Sequence, residues 1–155
     1  MKTIPQEGGR TADDTLAPVV RAILQVGDRC TPYRRAGRGP SVLLLLGTHS
    51  SLDPLRERLL LELSRSFRVL APELPRPCDG VTACGPLSPA ELAGWLREVL
   101  ETLGLARPIL VTDDSFAAAA LAWMHEDPEG AGPLVMIARS EPGRGEEGAV
   151  AVASA

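Results

Sequence analysis

A chain of 155 residues that is 45% hydrophobic but only 3% aromatic fits one domain whose core is built from Leu, Val, Ile and Ala. Its formal net charge of −4 gives no basic patch and excludes nucleic acid and anionic membrane as main partners. No run approaches the roughly 20 apolar residues of a membrane span, and the start, MKTIPQEGGRTADD, has no apolar stretch of the kind an export signal needs. A soluble, cytoplasmic protein is the expectation.

Residues 1–14 are polar and read as a mobile leader, 15–139 as one domain, and 140–155, rich in Gly, Glu and Ala, as a disordered tail in which AVAVA is able to add an edge strand. Within the domain, Leu16, Val19, Val20, Ile23 and Leu24 have helical spacing. Ala22 to Val26 followed by Gly27-Asp28 nevertheless reads as a strand entering a hairpin, with its partner across Arg29 to Arg35, and of the two the strand is favoured. Ser41 to Leu46 (SVLLLL) is an unbroken apolar run bounded by Pro40 and Gly47, as expected of a central strand covered on both faces. After the loop Gly47-Thr48-His49-Ser50-Ser51, Asp53-Pro54 signals a helix start. Leu55, Leu59, Leu60 and Leu63 form its apolar stripe, with Arg56, Glu57, Arg58 and Glu62 largely off it.

Phe67 to Ala71 predicts a second short strand, stopped by Pro72. The loop 75–86 carries Cys78 and Cys84 and has no periodicity. Together with Cys30 they make three cysteines, an odd number without a Cys-x-x-Cys pair, so free thiols in a reducing compartment are expected. Ser88-Pro89-Ala90-Glu91 is a capping box with proline at the first helical position. Leu92, Trp95, Leu96, Val99, Leu100 and Leu103 then repeat at three and four residues up to Gly104.

The stretch 108–123, PILVTDDSFAAAALAW, predicts a strand, a polar turn and an alanine-dense helix. Pro133 to Ala138 is the last strand before the tail. Strands alternating with amphipathic helices imply an α/β domain, a three-layer α/β/α sandwich with a mainly parallel sheet. Ligands on such sheets bind at the carboxyl ends of the strands. Thr48 to Ser51 and Thr112 to Ser115 meet there, which makes that edge the candidate site for a small molecule.

The series YRRAGRGPSVLLLLGTHSSLDPLRERLLLELSRSFRVLAPELP, then LSPAELAGWLREVLETLGLARPILV, then the turn, HEDPEG and PLVMIA resembles the α/β-hydrolase superfamily over residues 29–139. The resemblance implies that the backbone amide of Thr48 supplies an oxyanion-hole donor. It also implies that the turn after Val111 is a nucleophile elbow, strained in its backbone and flanked by small residues. One register places Asp114 at the nucleophile position, as in haloalkane dehalogenases and epoxide hydrolases, with oversized Phe116 as a flank. The other places Ser115 there, with Asp113 in place of the first glycine.

The family supplies its acid and catalytic histidine after the sixth strand, where this sequence stops, so the expected form is a truncated one. The histidines present are His49, near the proposed site, and His125, on the helix after the turn. His49 is the candidate base, although a solvated loop histidine is the better reading of it. Asp113, Asp114 and Ser115 are accounted for without catalysis as helix caps. Gly37-Arg38-Gly39 lacks the following helix that a phosphate loop requires. No cofactor or metal is implied.

Two functions remain open at this stage. One is a binding or assembly module, or the amino-terminal part of a longer hydrolase, with an incomplete catalytic apparatus. The other is an active hydrolase of esters or related small substrates, with Ser115 or Asp114 as nucleophile and His49 as base. Loss of later strands leaves 133–138 as an apolar edge, expected to pair with another chain or its own copy.

Overall fold

The run of leucines after Ser41 becomes the centre of the molecule, because nothing in it tolerates water on either side. In the computed structural model, residues 18–27, 29–47, 53–75, 87–137 and 150–153 are described. Thr48, His49, Cys78, Cys84 and the leader 1–14 lie outside them. The strands are β1 (Val20–Val26), β2 (Arg29–Ala36), β3 (Ser41–Leu45), β4 (Arg68–Pro72), β5 (Ile109–Asp113), β6 (Leu134–Ile137) and β7 (Val150–Ala153). The helices are α1 (Asp53–Leu63), α2 (Pro89–Leu103) and α3 (Asp114–Glu126).

The strands form one sheet in the order β1-β2-β4-β3-β5-β6-β7. Its centre, β4-β3-β5-β6, is parallel. The flanking pairs β1-β2, β2-β4 and β6-β7 are antiparallel. The parallel sheet expected from alternating strands and helices is thus the core of a mixed one. Antiparallel strands enter where the connection is a hairpin or a return, rather than a helix crossing over the sheet.

Side chains alternate across the sheet, so consecutive residues of each central strand feed two separate cores. Leu43, Leu45, Leu110 and Leu134 pack with Leu96, Val99, Phe116 and Ala120 of α2 and α3. Val42, Leu44, Leu46, Val69 and Val111 pack with Leu60 of α1 on the opposite face. Those two faces make the three layers. Each fully buried leucine contributes about 1.5–3 kcal/mol of transfer free energy, and Leu43, Leu44 and Leu45 all have no exposed area. Scarcity of aromatics leaves Trp95 and Phe116 as the large pair between α2 and α3, edge to face with centroids 6.0 Å apart.

Helix α2 is determined at both ends by sequence. The Ser88 amide donates to Glu91 Oε2 at 2.7 Å, and the Glu91 amide donates to Ser88 Oγ at 3.3 Å, completing the capping box. Gly104 takes a left-handed φ of 62°. There the Leu105 amide reaches back to the Leu100 carbonyl at 3.0 Å.

Two expectations are corrected. Arg56 does not lie off the apolar stripe of α1: only 6% of it is exposed. It precedes Leu60 by one helical turn, on the face turned to the sheet, and its Nη2 donates to the Pro72 carbonyl at 2.9 Å. The end of β4 supplies the acceptors there, the carbonyls of Ala71 and Pro72. The second correction concerns the edge at 133–138. Strand β6 is not an open edge, because Val150–Ala153 pairs with it antiparallel, Ile137 opposite Val150 and Leu134 opposite Ala153. An apolar strand with unpaired amides takes the nearest compatible partner, and AVAVA lies within the same chain.

Candidate functional site

The parallel register aligns Leu45 of β3 with Thr112 of β5, and Asp113 of β5 with Ile137 of β6. The end of β3 therefore lies beside the start of α3. Asp113 occupies the gap between them. It is 1% exposed, and its carboxylate is held from two elements. Oδ2 accepts from the Gly47 amide at 3.1 Å. Oδ1 accepts from the Ser115 amide at 3.1 Å and from the Ser115 hydroxyl.

Gly47 lets the chain leaving β3 approach the Asp113 and Ser115 side chains closely. A Cβ on it would stand 2.6 Å from Ser115 Oγ and 3.2 Å from Asp113 Oδ2. Thr112 beside it is fully buried, and its hydroxyl has no partner among the described residues.

The turn is compact but unstrained. Asp113 is the N-cap of α3 with φ −101° and ψ −177°, and the helix begins at the next residue. Among the described residues, Arg107 is the one non-glycine with positive φ. Asp114 and Ser115 therefore lack the left-handed backbone that lifts a nucleophile clear of an elbow.

Both candidate nucleophiles are exposed in the first turn of α3, with Phe116 turned into the core beside Trp95. Among the described residues, the Ser115 hydroxyl donates to Asp113. His125 lies in the last turn of α3, ten residues on and about 15 Å along the helix axis from Ser115. It is not brought to the turn. Thr48 and His49, expected to supply an oxyanion donor and a base, fall outside the described residues.

The residue that sequence reasoning placed too low is Asp113. Read as one of three caps, it does cap α3, and it is in addition the buried link between β3 and α3. The available signal was its position as the last residue of an apolar strand, where a carboxylate is buried unless the strand stops early.

No protein-family model and no curated sequence matches the chain. Solved structures do. Cfl2 from Burkholderia cenocepacia aligns with a TM-score of 0.65 and 26% identity, over 84% of this chain and 49% of its own. Epoxide hydrolase VrEH1 from Vigna radiata aligns at 0.61 and 25% identity, over 76% of this chain and 39% of its own. Naproxen esterase from Bacillus subtilis aligns at 0.61 and 16%, over 76% and 42% respectively. The chain thus spans half or less of the length of these structures. The fold is that of the α/β-hydrolases.

Proposed function

We propose that these residues form a non-catalytic binding module on an α/β-hydrolase fold, in which the position of the nucleophile has become a structural clasp. The observation that carries this reading is the buried Asp113 carboxylate, which accepts from both the Gly47 amide and the Ser115 hydroxyl. A working acyl-transfer site needs the hydroxyl directed at a base, and backbone donors left open for a developing oxyanion. Here the Ser115 hydroxyl and the Gly47 amide are both taken up by the Asp113 carboxylate. An added negative charge opposes an oxyanion by about 4 kcal/mol at 4 Å and an effective dielectric of 20.

The unstrained turn supports the same reading, since the two groups named as nucleophiles sit in ordinary helical backbone. The activities printed for the neighbours, epoxide hydrolysis and naproxen ester hydrolysis, belong to those proteins.

The test is a panel of p-nitrophenyl esters, epoxides and haloalkanes on the purified chain, with Ser115→Ala and Asp114→Ala alongside. Any turnover is expected to be unaffected by both substitutions, and a fluorophosphonate probe is expected to leave Ser115 unlabelled by mass spectrometry. Turnover abolished by Ser115→Ala, or by Asp114→Ala, would restore the hydrolase reading with that residue as nucleophile.

A further inference from the structure

We propose that the groove between the β1-β2 hairpin and α1 binds a small amphipathic anion, a carboxylate carried on an aliphatic tail. The hairpin register sets Arg21 opposite Arg34 and Ile23 opposite Pro32. Alternation puts all four side chains on the face of the sheet that α1 covers farther in. At the hairpin this face is open, and a groove of about 570 Å³ runs along it, lined also by Arg56 and Glu73. That volume falls within the range of small-molecule sites, about 300–1,000 Å³.

The lining has two parts. Ile23 and Pro32 make an aliphatic floor, with Ile23 71% exposed, so an apolar tail laid on it removes surface from water. Three guanidinium groups stand around that floor, opposed within the lining by Glu73 alone. Arg34 is ion-paired with Glu57 of α1. Arg56 is anchored on the Pro72 carbonyl. Arg21 has no ion pair among the described residues, which leaves its fork available to a carboxylate.

Backbone geometry keeps the floor rigid. The Glu73 amide donates to the Pro32 carbonyl at 2.9 Å. In an antiparallel strand the amide and carbonyl of one residue point the same way, so the missing amide of Pro32 faces β4 and removes no bond to β1. The groove lies three strand spacings, about 14 Å, from β5 and Asp113. The proposal is therefore independent of whether the turn is catalytic.

The experiment titrates octanoate, 1-octanol and octylammonium into the whole chain, followed by amide chemical shifts and calorimetry. Octanoate is expected to bind at about 1 mM or tighter, shifting amides of residues 21–23 and 33–34, while the alcohol and the amine bind at least about tenfold more weakly. Arg21→Gln and Arg34→Gln are each expected to weaken octanoate about tenfold, and Ile23→Asn to weaken it severalfold. Unchanged thermal unfolding of the exposed Arg21→Gln variant shows that its loss of binding is local. Equal affinity for the three head groups, binding untouched by both arginine substitutions, shifts confined to other residues, or no saturable binding by about 10 mM would each overturn the proposal.

Discussion

At the scale of single residues, the clasp of Gly47, Asp113 and Ser115 acts through close approach as much as through hydrogen bonds. Gly47→Ala drives a methyl into Ser115 Oγ and is expected to cost about 1–3 kcal/mol in urea unfolding. Ser115→Ala alone removes one hydroxyl bond and costs about 1 kcal/mol. The double variant is expected to cost less than the sum, by about 1 kcal/mol, because the second change removes the atom the first collides with. Additivity would show that the two residues do not share the gap. Asp113→Ala leaves the Gly47 and Ser115 amides without their acceptor and removes the cap of α3, for about 3 kcal/mol.

At the scale of elements, α2 carries the titration that is easiest to read. Hydrogen bonds from the Ser88 backbone and side chain hold the Glu91 carboxyl below its ordinary value. A depressed folded-state value means the unfolded chain takes up the proton first. The stabilisation is complete above the unfolded value and is lost as the pH falls through the folded one. Glu91→Gln is therefore expected to flatten the acid limb of a stability–pH curve while leaving its neutral plateau shape unchanged. An acid limb identical to wild type would assign that slope to other carboxylates.

Such elements were legible in the sequence for a physical reason: caps, periodicity and apolar runs are local. The hairpin at Gly27, the strand at Ser41, the box at Ser88 and the stop at Gly104 all fall where their residues predict. What escaped depends on distance along the chain. The burial of Arg56 is decided by the carbonyls of Ala71 and Pro72, and the role of Asp113 by the amide of Gly47, 66 positions earlier. Similarly, an overall charge of −4 conceals the arginine-lined groove, which exists only once β1, β2 and α1 are side by side.

At the scale of the whole molecule, the sheet has two kinds of margin. One is the hairpin of β1 and β2, long and rich in arginine. The other is β7, four residues of valine and alanine, whose pairing to β6 closes the edge of the parallel core. Ending the chain at Gly148 is expected to uncover Leu134–Ile137 and to raise the light-scattering mass to a dimer or more at concentrations where the full chain keeps its own mass. An unchanged mass in the shortened chain would mean that β6 needs no cover.

The direction of those marginal strands also fixes where the backbone enters and leaves. Strand β1 runs with the parallel core and β7 against it, so Val20 and Ala153 both face the amino ends of the central strands. The register sets Ala153 level with Leu134 and Leu110, three residues short of Asp113. Among the described residues, the backbone therefore enters at Val20 and leaves at Ala153 on the side of the sheet away from Asp113. A side chain arriving from beyond Ala153 would have to climb about 10 Å along the strands and cross two of them, roughly four or five extended residues, before meeting Ser115.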